Sequence, residues 1–150
     1  MSQSIDAITY PDGYDHADFD RALTCYIECA LWSEHCLGTA THDECRGSYC
    51  DTSLASLGYG ENNVSFGSRI GMAEDLCAFI EECLADWPGV FDGIAPGAIG
   101  DDFWLSRNGA GAGFWDSGLG DRGSYLHRKA KPYGEAILWV GEDNRVYYQS

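Results

Sequence analysis

Five side chains able to hold a metal fall within sixteen residues: His35, Cys36, His42, Cys45 and Cys50. Four thiolates or imidazoles bind zinc tetrahedrally. This run has no Cys-x2-Cys knuckle and no His-x3-His pair, so its spacing matches no zinc template. No metal or other cofactor is expected, and a zinc-stabilised interaction module stands as an alternative. The remaining cysteines are Cys25, Cys29, Cys77 and Cys83, which makes seven. An odd number cannot pair fully within one chain, and free thiols are the default reading. The histidines His16, His35, His42 and His127 are dispersed, with no local signature for Cys–His nucleophilic chemistry. The chain reads as a non-enzyme.

The second chemical candidate is the stretch from Asp101 to Gly120. It holds two Phe-Trp pairs, Phe103-Trp104 and Phe114-Trp115, around the spaced glycines Gly109, Gly111 and Gly113. Its polar groups are Asp102, Arg107, Asn108 and Asp116. A phosphate-cradling loop needs a preceding strand, a following helix and, for nucleoside triphosphates, a lysine; no lysine is near. Trp104, Trp115 and Arg107 have the chemistry to stack on bases, but the chain's charge opposes nucleic acid. The expected structure is a hairpin turning at Asn108-Gly109. Asp102, Arg107, Asn108 and Asp116 then form a polar cluster that closes it. A small-ligand or enzymatic site using Arg107, Asn108 and Asp116 is the alternative reading.

The net charge is −15. Residues 1–105 carry 19 acids against Arg21, Arg46 and Arg69, a net of −16; residues 106–150 carry 5 acids against 6 bases, a net of +1. A field this negative repels phosphates and attracts basic surfaces. It also keeps a protein soluble, and adaptation to high salt gives the same composition. The carboxylates expected to meet a basic partner are Glu74, Asp75, Glu81, Glu82 and Asp86, then Asp15, Asp18, Asp43, Glu44 and Asp51.

The elements that carry these groups follow from periodicity. After the turn signal Pro11-Asp12-Gly13, a helix capped by Asp15 or Asp18 is predicted. Its apolar stripe is Phe19, Leu23, Tyr26, Ile27, Ala30 and Leu31. Residues 35–68 read as a long loop with one helical turn at 53–57. A second helix runs from about Gly71 to Trp87 and stops at Pro88-Gly89. Residues 89–100 read as a linker with a turn at Pro96-Gly97. A third, short helix spans Asp121 to Lys131 before Pro132. The chain ends in a hairpin, Ala136 to Val140 against Arg145 to Gln149, turning at 142–144. With strands at 103–107 and 113–116 this makes an antiparallel sheet of about four strands. The fold class is α+β: N-terminal helices packed on a small C-terminal sheet. One domain is expected over 1–150, mainly helical and acidic over 1–100 and mainly β hairpins over 101–150. No window reaches the ~18 apolar residues of a membrane span. The N-terminus has no basic start followed by an apolar run, as a secretory signal would. A cytoplasmic protein without membrane contact is expected.

The run Asp102-Phe-Trp-Leu-Ser-Arg-Asn-Gly-Ala-Gly-Ala-Gly-Phe-Trp-Asp116 resembles the core of a family of small, largely uncharacterised bacteriophage proteins. That family's pattern reads Asp-Phe-Trp-Leu-Thr-Arg-Asn-Gly-His-Gly-Ala-Gly-Phe-Trp-Asp-Arg. The likeness continues through Leu119-Gly120, Tyr133-Gly134-Glu135, an apolar strand, Gly141 and Val146-Tyr147. It also covers Cys29-Ala-Leu-Trp32 within Tyr26 to Trp32. Residues 35–68 lie outside it. Ala110 stands where the family has His, and Ser117 where it has Arg. The resemblance implies a phage origin, a setting in the infected bacterial cell and an accessory role, but no reaction. Joined to the acidity, it gives the expected function: an acidic inhibitor of a host nucleic-acid-binding defence machine, of anti-CRISPR or anti-restriction type. Such a protein would occupy a basic site and bind no nucleic acid itself.

Overall fold

A computed structural model describes residues 8–34 and 52–150 of the chain. Four α-helices precede a two-stranded sheet: α1 (His16–Ser33), α2 (Phe66–Asp86), α3 (Pro96–Arg107), α4 (Asp121–Ala130), β1 (Ile137–Val140) and β2 (Val146–Gln149). The architecture is α+β, with the strands packed against the helices. No helix among the described residues is long and apolar enough to cross a membrane.

Asp15 is the N-cap of α1, and its carboxylate accepts from the Asp18 amide at 3.0 Å. That satisfies one of the donors every helix start leaves open. The predicted stripe of α1 is buried in full: Phe19, Leu23, Tyr26, Ile27, Ala30 and Leu31. Ser65 caps α2, five residues ahead of the expected start, by accepting from the Ser68 amide. Gly67 and Gly71 hid that first turn from a propensity reading.

The largest correction concerns the Gly-rich stretch. Residues 103–107 form no strand; they complete α3, which opens with Pro96 at its first position. Proline there presets φ and lacks only an N–H that would be unpaired anyway. Ile99, Phe103, Trp104 and Arg107 recur at helical spacing and all face inward. Residues 113–116 are also not a strand, since Phe114–Asp116 is a 3-10 turn. The sheet among the described residues therefore has two strands rather than four, and 101–150 is not mainly β.

α1 and α3 pack backbone to backbone. A Cβ on Gly100 would lie 2.0 Å from the Ala22 carbonyl oxygen and 2.8 Å from the Tyr26 nitrogen. This close approach brings the Phe103 ring between two others: 5.2 Å from Tyr26 on one side and 4.3 Å from Phe79 of α2 on the other, both stacked. Tyr133 meets Phe103 edge-on at 5.2 Å. The core is thus an aromatic pile, bounded by aliphatic side chains of α1 and α2.

Strands β1 and β2 pair antiparallel, with Leu138 opposite Tyr148 and Trp139 opposite Tyr147. Leu138 and Val146 are buried, while Ile137 and Trp139 are exposed, as the two-residue period requires. Both outer edges are covered. Along β2, the Ser65 amide donates to the Val146 carbonyl and Ser68 Oγ accepts the Tyr148 amide. Along β1, the Asn108 side chain accepts the Ala136 amide at 2.8 Å, and the Leu138 amide meets the Glu34 carboxylate. Covered edges prevent strand addition by another chain.

Two substitutions test the helix contact by urea unfolding. Gly100→Ala is expected to destabilise by about 3 kcal/mol, the upper range for overpacking. Gly67→Ala, with open space around it, is expected to stabilise by up to about 1 kcal/mol. Equal effects would contradict the close α1–α3 approach.

Candidate functional site

The last residue of α3, Arg107, carries its charge into the interior with only 3% of its surface exposed. A buried guanidinium has five N–H donors to satisfy. Nε donates to the Gly134 carbonyl at 2.8 Å, and Nη2 to the Tyr133 carbonyl at 2.8 Å. Nη1 faces three oxygens: Tyr26 Oη at 3.0 Å, Tyr148 Oη at 2.8 Å and Asp75 Oδ2 at 3.1 Å. Tyr148 Oη lies 2.6 Å from Asp75 Oδ2 and 2.9 Å from Tyr26 Oη. The guanidinium also sits over the Phe103 and Tyr133 rings, at 5.5 and 5.7 Å.

Burial works against the Arg107 charge, but the phenol oxygens and Asp75 more than offset it and hold its pKa above the ordinary value. Burial pushes the Tyr26 phenol up to about 12, and Tyr148 higher still. Both phenols are therefore protonated at neutral pH. The cluster holds one cation against one partly exposed carboxylate. Its chemistry is structural: it joins α1, α2, α3, the Tyr133–Gly134 turn and β2.

The four residues expected to close a hairpin are thus dispersed among other tasks. Arg107 enters the core. Asn108 donates to the Trp104 carbonyl and accepts the Ala136 amide, so it links α3 to β1. Asp116 accepts the Gly113 amide at 3.0 Å and closes the 3-10 turn. Asp102 accepts from Ser117 Oγ at 2.7 Å. The hairpin cluster does not exist as a unit, because the chain there is helix and turn.

The loop after α3 does create a serine–histidine contact. His127 Nδ1 of α4 is 3.0 Å from Ser106 Oγ, which also accepts the Phe114 amide at 3.1 Å. Burial, then the charge of Lys131, lowers the His127 pKa, so the neutral ring is favoured. Ser106 is fully buried. Gly113 at φ +135° lies directly over it, and a Cβ there would be 2.3 Å from Oγ. The loop backbone fills the space an attacked carbonyl would need. The pair pins the loop between α3 and α4.

Four of the five carboxylates of α2 face partners within the chain. Asp75 turns toward Arg107. Glu81 accepts the Asp12 amide at 2.9 Å. Glu82 and Asp86 lie 3.3 and 3.2 Å from Lys129 Nζ, and accept from Tyr133 and Tyr125 as well. Glu74 is exposed and Asp18 half-buried, while Asp15 is spent on capping α1. Asp43, Glu44 and Asp51 lie outside the described residues, as do His35, Cys36, His42, Cys45 and Cys50.

A second acidic group lies across α1 and α3. Burial raises the Asp101 carboxyl, and the charges of Asp102 and Glu28 raise it further. Burial also raises Asp102, with Asp116 adding to the effect and the Ser117 hydrogen bond opposing it. No base forms an ion pair with Glu28, Asp101 or Asp102 among the described residues. Several bases are committed elsewhere. Arg69 pairs with Glu61, Arg122 donates to the Val90 and Asp92 carbonyls, and Arg145 donates to the Asn62 and Val64 carbonyls.

Among the described residues, no group of His, Cys, Asp and Glu is arranged to hold a metal ion. Cys25, Cys29, Cys77 and Cys83 are free. Burial pushes the thiols of Cys29 and Cys77 up to about 11 and that of Cys83 to about 12, and raises Cys25 too. Thiols so placed are protonated and weakly nucleophilic at neutral pH.

Sequence reasoning missed the partners of Arg107, which lie 81 residues before it at Tyr26 and 41 after it at Tyr148. The available signal was the place of Arg107, four residues past Phe103 on an apolar helical face. The chain matches no protein-family model, no curated protein and no solved structure.

Tyr148→Phe removes one hydroxyl shared by three partners and is expected to destabilise by about 1–3 kcal/mol. Arg107→Ala, which leaves Asp75 unpaired, is expected to lose about 3–5 kcal/mol. Urea denaturation measures both, and a near-neutral Tyr148→Phe would refute the network's role. Asp101 supplies a pH test. Its folded pKa is raised, so its contribution is fully present below the unfolded value of 3.8 and is lost as pH rises through the folded value. Asp101→Asn should therefore match the parent near pH 3.5 and melt higher than it at pH 7. A difference independent of pH would remove the like-charge explanation.

Proposed function

We propose that the chain is a non-enzymatic, phage-encoded binding protein that presents an acidic surface to a basic site on a host nucleic-acid-processing protein. Inhibition of a defence machine, of anti-CRISPR or anti-restriction type, is the concrete form of this reading. The observation that carries it is the Glu28, Asp101 and Asp102 group, which has no ion pair among the described residues while Arg69, Arg107, Arg122, Arg145 and Lys129 are drawn into internal contacts. Holding the half-buried Asp101 and Asp102 together beside the exposed Glu28 works against stability, and a basic partner relieves that repulsion. The phage-like core motif supports the setting. The acids of α2 contribute to the long-range field more than to direct contact, because Asp75, Glu81, Glu82 and Asp86 already have partners.

The second reading is catalysis at the glycine loop, favoured by the Ser106–His127 contact. The buried position of Ser106 weighs against it.

Affinity capture from an expressing bacterial cell at low salt is expected to retain one basic protein. Its affinity should fall steeply between ~0.05 and ~0.5 M salt, as screening of exposed charges requires. The triple variant Glu28→Gln, Asp101→Asn, Asp102→Asn should bind at least about tenfold more weakly while melting no lower than the parent. Salt-insensitive binding, or an unaffected triple variant, would sink the acidic-surface reading.

A further inference from the structure

The outward face of the C-terminal hairpin is an exposed aromatic surface beside a carboxylate. Trp139 and Tyr147 are cross-strand partners, and their rings stack at 4.8 Å with an interplanar angle of 21°. Trp139 is 40% exposed, and Ile137 continues the same face at 39%. At the far end of the Tyr147 ring its hydroxyl donates to Asp143 Oδ2. Asp143 Oδ1 accepts the Arg145 amide at 3.1 Å. Its own backbone amide also interacts with the carboxylate, which keeps acceptor capacity out of roughly four positions. Gly141 makes the arrangement possible: a Cβ there would lie 2.7 Å from the Tyr147 ring and 2.9 Å from Asp143 Oδ1.

Two stacked rings with a fixed carboxylate at their edge suit a planar cation. A guanidinium lies flat on an aromatic face and pairs with a carboxylate through its fork. The charge of Arg145 acts on Asp143 and Tyr147 from nearby, but its Nη2 hydrogen-bonds to the Val64 and Asn62 carbonyls and makes no ion pair with Asp143. The exposed Glu142 adds negative charge at the same turn. Both strand edges are already covered, so a partner reaches this sheet by side chains on its face and not by adding a strand.

We propose that Trp139, Tyr147 and Asp143 form a recognition site for an arginine side chain in an exposed basic segment of a partner protein. The proposal rests on the basic-partner reading above and gives that partner an anchoring residue. A cross-strand aromatic pair also steadies a hairpin, and the test separates the two roles.

The test is a titration of the ¹⁵N-labelled full chain with the peptide acetyl-Gly-Arg-Gly-Arg-Gly-amide, followed by NMR. A lysine counterpart serves as comparison. The arginine peptide is expected to shift the Trp139 indole N–H and the amides of Trp139, Asp143 and Tyr147. Binding should weaken about fivefold in Trp139→Leu and in Asp143→Asn, and be weaker for the lysine peptide. Asp143→Asn keeps both rings, and its oxygen can accept the Arg145 amide while its NH2 donates to the Tyr147 hydroxyl, so its loss of binding is not a loss of the hairpin. Unmoved Trp139 signals, an unaffected Asp143→Asn variant or equal binding of the lysine peptide would each overturn the proposal. Shifts confined to Glu28, Asp101 and Asp102 would overturn it while leaving the acidic-surface reading intact. Shifts nowhere would remove both.

Discussion

A buried cation tolerates few arrangements of the chain around it. Arg107 has its guanidinium inside the protein, and each side of it meets an oxygen from a different segment. Withdrawing the 133–134 turn would leave Nε and Nη2 unpaired, and withdrawing α1, α2 or β2 would remove one of the three oxygens that offset the buried charge at Nη1. The relative positions of these segments are therefore coupled through one side chain. The hairpin depends on it most, since two strands alone are only marginally stable in water. Its inner face gains Tyr148 as a tie to Arg107 and Asp75, beyond the burial of Leu138 and Val146.

The same constraint shapes the surface. The chain has only nine lysines and arginines against 24 acids. Arg69, Arg107, Arg122, Lys129 and Arg145 are all held in contacts within the protein. These five bases thus organise the interior and the contacts between segments, and much of the acid is left outside. Where acids gather without an ion pair among the described residues, at Glu28, Asp101 and Asp102, burial and like charge favour protonation of Asp101 and Asp102 relative to ordinary carboxylates. A surface with that stored repulsion is suited to a positive partner, which is the physical basis of the proposed function.

The Gly-rich segment has a different task from the one its composition suggests. Its glycines do not cradle a ligand. They let the backbone turn at the end of α3 and lie against Ser106, so that Phe114 reaches the aromatic pile beside Phe79 at 5.6 Å. Asp116, Ser106 and His127 hold that turn in place. The two Phe-Trp pairs serve accordingly: Phe103, Trp104 and Phe114 are core, while Trp115 remains 51% exposed next to His127.

Local pattern determined much of this protein. The apolar stripe of α1, its cap at Asp15 or Asp18, most of α2, the short helix before Pro132 and the terminal hairpin were legible, because each depends on side chains a few residues apart. The acidity was legible too, as a property of composition alone. What tertiary structure decided was direction and partnership. Pro96-Gly97 opens a helix instead of a turn because Ile99, Phe103 and Trp104 find a core at helical spacing. Arg107 points inward because Tyr26, Asp75 and Tyr148 converge from distant parts of the chain. The α2 carboxylates are occupied because Lys129, Tyr125 and Tyr133 arrive from α4 and the turn that follows it. Sequence spacing carries no record of such meetings, since they are set by packing across the fold.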